Sequence, residues 1–354
     1  MNLDDLEHFK KLDSLNMLAE IDGLPDQLQQ AWDLGATQQL PKLDEIRAIV
    51  ISGVGAPAVA ADLVAASVVS SIRVPVIVHR DYGLPAFAHG KQTLVICSSH
   101  SGDTEETLDS FESALKNDCS LVVICTGGEL AKRAGEKNIP VWRFSHNGQA
   151  RAAIGFSFGL LLSLFARLNL VPDPSKDVAE AISAMQRSQK HLRADVSAAK
   201  NPAKRYAGQL VGRWVTVMGA GILAPVARRW KEQINEVAKA GANFELLPEA
   251  DHNTLAGTTN PTETLNAHTM TMFLRAPSDH PRNRLCSDLI RRAFMLEGLN
   301  TDSVDARGES MLAQIWTSIL FGDYMAYYLA MAYGIDPTPV DALDSFKNLM
   351  AGEK

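Results

Sequence analysis

Paired cysteines, a basic surplus, an apolar leader and a membrane-length apolar run are all missing from this chain of 354 residues. The four cysteines, Cys97, Cys119, Cys125 and Cys286, show no CxxC spacing, and Cys97 and Cys125 fall inside apolar, strand-like runs. They read as reduced core residues rather than a disulfide frame or a zinc site, which sets the expectation of a cytoplasmic protein. A formal net charge of −7 leaves no basic stripe to displace the counterions of a nucleic acid. The beginning, Met1-Asn2-Leu3-Asp4-Asp5-Leu6-Glu7, is acidic and has no leader core. The longest apolar stretch, Ala152 to Ala166, is interrupted by Gly155, Ser157, Gly159 and Ser163 and closed by Arg167, so it reads as a buried helix and not a membrane span. No HExxH or other ligand spacing occurs, so no metal and no cofactor is expected.

What the chain does have is length for two domains and a repeated strand–helix pattern. Apolar runs at Ala48 to Ile51, Val74 to Val78, Leu94 to Cys97, Leu121 to Cys125 and Val141 to Phe144 alternate with helical segments. Uniformly apolar strands separated by helices mean a parallel sheet covered on both faces, with ligands at the carboxyl ends of its strands. The pattern then recurs. Arg47 to Gly55, ending Gly53-Val54-Gly55, matches Arg213 to Gly221, ending Gly219-Ala220-Gly221. A helix over Ala224 to Ala240 and strands over Phe244 to Leu247 and Met270 to Leu274 follow, and a long apolar helix closes each half. The expected organisation is a helical extension over 1–45, one α/β domain over 46–171, a helical linker over 172–204, a second α/β domain over 205–334 and a tail over 335–354. In the second closing helix, Tyr324, Tyr327, Tyr328 and Tyr333 among Met and Leu suit a core helix or a subunit interface equally.

The most informative stretch is Ser99-His100-Ser101-Gly102-Asp103-Thr104-Glu105-Glu106-Thr107, at the exit of the Leu94 to Cys97 strand. Hydroxyls, a glycine that permits a tight turn, and the free N–H groups of the following helix together make a cradle for a phosphate dianion. No lysine lies within it, which favours a phosphomonoester over a nucleoside triphosphate. The competing reading is a cluster of helix-capping hydroxyls.

The second half lacks this cradle: the corresponding segment is Arg275-Ala276-Pro277-Ser278-Asp279-His280-Pro281. It carries instead Asn235-Glu236 late in a helix and Asp251-His252-Asn253 in a loop. A carboxylate and an imidazole are the right reagents for moving protons on a sugar. Composition alone favours a solvated helix charge for Glu236, and it leaves His252 open between a backbone-capping histidine and a reactive one.

A duplicated α/β unit whose first copy bears Ser-x-Ser-Gly-x-Thr-x-Glu-Thr resembles the sugar isomerase (SIS) domain family. With Gly53-x-Gly55, Thr126-Gly127-Gly128, Arg151, Asn235-Glu236 and His252-Asn253 added, the chain is similar to the bifunctional phosphoglucose/phosphomannose isomerases from about residue 46 onward. The resemblance implies an α/β fold of two tandem flavodoxin-like (SIS) doubly wound parallel-sheet domains. It implies interconversion of glucose 6-phosphate and/or mannose 6-phosphate with fructose 6-phosphate through a metal-free enediol. It further implies that Ser99, Ser101 and Thr104 hold the 6-phosphate, and that Gly53 and Gly55 allow close backbone approach to the sugar. Glu236 would be the base at C2 and C1, Arg151 would stabilise the enediolate, and His252 with Lys347 would assist ring opening. A homodimer, in which His252 can come from the second subunit, and a small-molecule hexose phosphate as the only other partner complete the expectation.

The chain departs from the family where Ala56-Pro57 replaces a usual Gly-Ser, which removes one expected donor. Two other readings stay open: an isomerase of amino or heptose sugar phosphates, and a non-catalytic sugar-phosphate sensor.

Overall fold

The computed structural model of the protein describes residues 2–43 and 45–352. In chain order, α1 (Leu6–Leu12), α2 (Met17–Asp22) and α3 (Leu24–Thr37) are followed by β1 (Ala48–Ser52), α4 (Ala56–Val68), β2 (Val76–His79) and β3 (Thr93–Ser98). Next come α5 (Glu105–Lys116), β4 (Ser120–Cys125), α6 (Gly128–Glu136), β5 (Val141–Arg143) and α7 (Ile154–Arg167). The pattern resumes with α8 (Ser175–Leu192), α9 (Pro202–Leu210), β6 (Trp214–Ala220), α10 (Ala224–Glu236), β7 (Ala242–Leu247) and α11 (Thr262–His268). It ends with β8 (Thr269–Arg275), α12 (Pro281–Leu296), β9 (Thr301–Asp305), α13 (Met311–Tyr333) and α14 (Asp341–Gly352).

The chain forms two compact units: residues 23–184 with 308–315, and residues 2–22, 185–307 and 316–352. The first holds a parallel sheet of order β2-β1-β3-β4-β5, the doubly wound flavodoxin-like order, with its switch point between β1 and β3. Every residue of β3 and β4 is buried, as two-sided cover requires of central parallel strands. Strand alternation sends Val95, Cys97, Val123 and Cys125 to one face, against Phe111 and Ala114 of α5 and Leu130 and Ala134 of α6. Burial pushes the Cys125 thiol up to about 11 and the Cys97 thiol further in the same direction, so both act as inert core residues. The stretch expected to be a buried helix is α7, buried along nearly its whole length.

The second unit repeats the topology with one strand fewer, in the parallel order β7-β6-β8-β9. One face packs Met218, Ala220 and Phe273 against Ile290 and Phe294 of α12. Here α13 is a core helix: Tyr324, Tyr327 and Tyr328 are fully buried, with Phe9 of α1 edge-on to Tyr327 at 5.9 Å. Tyr324 donates to Asp22 of α2, and Tyr328 donates to the Leu192 carbonyl at 2.5 Å. Thus the first two helices of the chain cap this tyrosine cluster, while α3 belongs to the other unit. Among the described residues no helix, α13 included, is long and apolar enough to cross a membrane.

Candidate active site

The first unit folds the Ser99 to Thr107 stretch into a turn locked by its own backbone. Ser99 N–H donates to the Ile124 carbonyl at 3.0 Å, which continues the β3–β4 pairing past Ser98. The His100 carbonyl accepts from the backbone N–H of Thr126 at 2.9 Å and from its hydroxyl at 2.7 Å. Gly102 has φ +82°, and a Cβ there would stand 1.9 Å from the Gly127 carbonyl oxygen. Only glycine fits that corner. Asp103 reaches across to accept from Glu129 N–H at 2.8 Å. The Thr126-Gly127-Gly128 segment is therefore the floor on which the cradle turn sits.

The hydroxyls bond within the turn. Thr104 occupies the N-cap of α5, yet its side chain makes no capping hydrogen bond. Its Oγ1 lies 2.7 Å from Ser99 Oγ, which also accepts from Gly102 N–H at 3.1 Å. Ser101 Oγ accepts from Asp103 N–H at 3.2 Å and is exposed. The first-turn N–H groups of α5 have no intrahelical partners, as at any helix start. The set of donors can therefore turn toward an incoming oxyanion, with the helix dipole favouring negative charge.

The Gly53-Val54-Gly55 turn lies on the neighbouring strand exit. A Cβ on Gly53 would meet the Ser98 carbonyl at 2.6 Å, so Gly53 lets the ends of β1 and β3 approach. Gly55 has φ +61° and precedes α4, whose first turn takes Pro57, a position where a missing N–H loses no helix bond. Arg151 is buried in a single 3₁₀ turn, Ala150–Ala152, before α7. Gln27 of α3 braces that turn, donating to the Ala152 carbonyl at 2.8 Å and accepting from Gly155 N–H at 2.7 Å.

The remaining expected residues belong to the second unit and sit on three separate elements. Glu236 is the last residue of α10 and is half-buried. Its helix is anchored by a buried Arg229–Asp323 ion pair at 2.8 Å and by Trp230, whose indole N–H donates to the Ser318 carbonyl at 2.8 Å. His252 is exposed on the 3₁₀ turn Glu249–His252, after β7. Lys347 is exposed on α14.

Two features escaped the sequence reading. His100 Nε2 lies 2.9 Å from His146 Nδ1, beside the cradle. Glu232, one helical turn before Glu236, is half-buried and pushed up to about 7, chiefly by desolvation and further by the charge of Glu236. His100 stood inside the singled-out motif, but nothing in the sequence pairs it with residue 146. Glu232 could have been found by counting one turn back from Glu236. Among the described residues, no group of three or more His, Cys, Asp and Glu side chains is placed to hold a metal ion.

The fold and cradle define a parallel α/β protein of the sugar-isomerase (SIS) class. Residues 199–350 match the family model of the bacterial phospho-glucose isomerase C-terminal SIS domain. A hypothetical protein of Thermus thermophilus of known crystal structure shares the fold, with TM-score 0.73 at 12% identity over 98% of this chain and 94% of that one. The bifunctional phosphoglucose/phosphomannose isomerase of Caldicellulosiruptor bescii is 35% identical over 339 residues, covering 95% of this chain and 99% of the relative. Its Aquifex aeolicus counterpart is 31% identical, covering 78% of this chain and 82% of the relative. The chain belongs to the family of bifunctional phosphoglucose/phosphomannose isomerases.

Proposed function

We propose that the protein is an aldose–ketose isomerase that interconverts glucose 6-phosphate and mannose 6-phosphate with fructose 6-phosphate. The observation that carries this reading in the structure is the uncapped Thr104 hydroxyl facing Ser99 at a helix start. It supports a monoester site at the switch point of a parallel sheet, in a chain that matches an isomerase over 95% of its length.

Ser99, Ser101, Thr104 and the first-turn amides of α5 take the 6-phosphate, and the Gly53–Gly55 turn admits the sugar backbone. Glu236 removes the C2 proton of the open-chain aldose and returns it at C1. Electrons from the C2–H bond form the C1–C2 double bond of the enediolate, and the C1 carbonyl oxygen becomes the oxyanion that Arg151 stabilises; on reprotonation at C1 the C2 hydroxyl gives up its proton, O1 takes one up, and the C2 carbonyl of the ketose forms. A fixed cation at a developing oxyanion supplies several kcal/mol, so the reaction proceeds without a metal. His252 and Lys347 exchange the proton of the ring oxygen. Glucose and mannose phosphates share one enediol, so a pocket tolerant at C2 converts both.

The protein acts in the cytoplasm, binds neither nucleic acid nor membrane, and works as a homodimer. Support for self-association comes from apolar side chains left exposed along α12 (Leu285, Leu289, Leu296) and α14 (Leu343, Phe346, Leu349). Sedimentation of the purified chain tests this, and a monomer at micromolar concentration refutes it.

The test of function is fructose 6-phosphate in deuterated water. Solvent deuterium at C2 of recovered glucose and mannose phosphates is the expected result. Phosphate binding with no exchange would favour a sensor, and exchange only with an amino sugar phosphate would move the substrate class.

A further inference from the structure

We propose that His100 and His146 are positioning residues, a hydrogen-bonded latch that fixes the Arg151-bearing loop to the phosphate-cradle turn. The inference rests on the role given above to Arg151 and deepens it.

The two rings join segments distant in sequence. His100 is the residue between Ser99 and Ser101, and its carbonyl is held by Thr126, so its backbone cannot drift from the cradle floor. His146 stands in the loop from β5 to the turn that holds Arg151, five residues further on. The 2.9 Å bond from Nε2 to Nδ1 is accompanied by edge-on packing of the two rings, with centroids 5.2 Å apart. Aromatic rings close the assembly: Phe144 and Phe156 stack at 5.1 Å and 16°, His100 meets Phe144 at 5.9 Å, and His146 meets Phe156 at 6.1 Å. Phe156 lies in the first turn of α7, just after Arg151. The segment from 144 to 156 is thus pinned at both ends of the Arg151 turn, by the histidines on one side and Gln27 on the other.

The chemistry of the bond makes the latch specific. Only one of the two facing nitrogens can carry a hydrogen, so the pair accepts at most one proton while joined. Burial, and next the neighbouring ring of His146, push His100 down to about 4, which keeps the joined form in place at neutral pH. A merely structural core would be served as well by two phenyl rings. A latch needs a donor facing an acceptor at this one point.

Isosteric substitution separates the two. The amide of Asn occupies the place of Nδ1 and that of Gln the place of Nε2, whereas Phe keeps the ring and loses the bond. His146→Phe is expected to lower kcat with fructose 6-phosphate about 10- to 100-fold, the scale of a misplaced catalytic group. The KM, and the inhibition constant of inorganic phosphate, should stay within about 3-fold, because the cradle is untouched. His146→Asn and His100→Gln should restore kcat to within about 3-fold of the parent. If His146→Phe retains full kcat, or if Asn and Phe variants fall equally, the latch is wrong. Arg151→Lys measured alongside keeps the two questions apart: full turnover in that variant overturns the role of Arg151 itself. Thermal melting of each variant identifies any that fail to fold, in which case His100→Phe replaces His146→Phe as the probe.

Discussion

Ser99 and Thr104 face each other across the cradle turn with their hydroxyl oxygens 2.7 Å apart, although Thr104 sits where a hydroxyl ordinarily caps its own helix. Each hydroxyl is therefore available to trade a neutral partner for a charged one. Ser99→Ala and Thr104→Val should each raise the KM for fructose 6-phosphate about 10- to 100-fold, from the ~1.5–3 kcal/mol of a hydrogen bond to a charged group. The effect on kcat should be smaller, and steady-state kinetics at saturating substrate decide it.

Gly102 is fixed by contact as well as by φ. A Gly102→Ala chain must open the 1.9 Å clash with the Gly127 carbonyl and adopt a left-handed conformation. A loss of at least ~2 kcal/mol is expected, with the cradle displaced. Chemical denaturation gives the first quantity, and phosphate protection against unfolding gives the second.

Glu236→Gln keeps shape and removes the base. Deuterium exchange into fructose 6-phosphate should fall about 10²-fold or more, while inorganic phosphate inhibits as before. Exchange at the parental rate would remove Glu236 from its role.

Glu232 ties stability to pH. Its folded pKa, about 7, is above the ordinary carboxylate value of 4.5, chiefly through desolvation. The folded state therefore holds a proton that the unfolded state has released, and stability falls as pH rises from about 4.5 through 7. Because the side chain is half-buried, solvent screening limits the cost to about 1–2 kcal/mol. Glu232→Gln should be more stable than the parent at pH 8 and indistinguishable at pH 4.5 by denaturant midpoint.

The sheet was legible wherever burial on both faces forced continuous apolar runs, as in Val95-Ile96-Cys97 and Val122-Val123-Ile124. The strand Thr301–Asp305 was not, because it is an edge strand of Thr, Asp, Ser, Val and Asp in which only Val304 is buried. Its pairing to β8 comes from backbone bonds that leave no hydrophobic trace. In the site, Ser99 and Gly102 were legible because a local turn needs neighbouring residues of particular types. The bond between His100 and His146 spans 46 positions and depends on where β5 delivers the chain. The tyrosines of α13 were ambiguous for another reason. A buried aromatic face looks the same in sequence whether another helix or another subunit covers it, and here α1 and α2 do so.

The guanidinium–carboxylate contact beneath α10 changes how inactive variants should be interpreted. Arg229 and Asp323 are both withdrawn from water, so neutralising either one strands its mate and costs about 3–5 kcal/mol. Such a loss is expected to loosen the helix that ends at Glu236, so that, on the role proposed for Glu236, turnover should fall although no group proposed to touch the substrate has been removed. A screen that scores activity alone would enrol Asp323 among the reacting residues; paired with a melting curve, the same screen would identify it as a foundation.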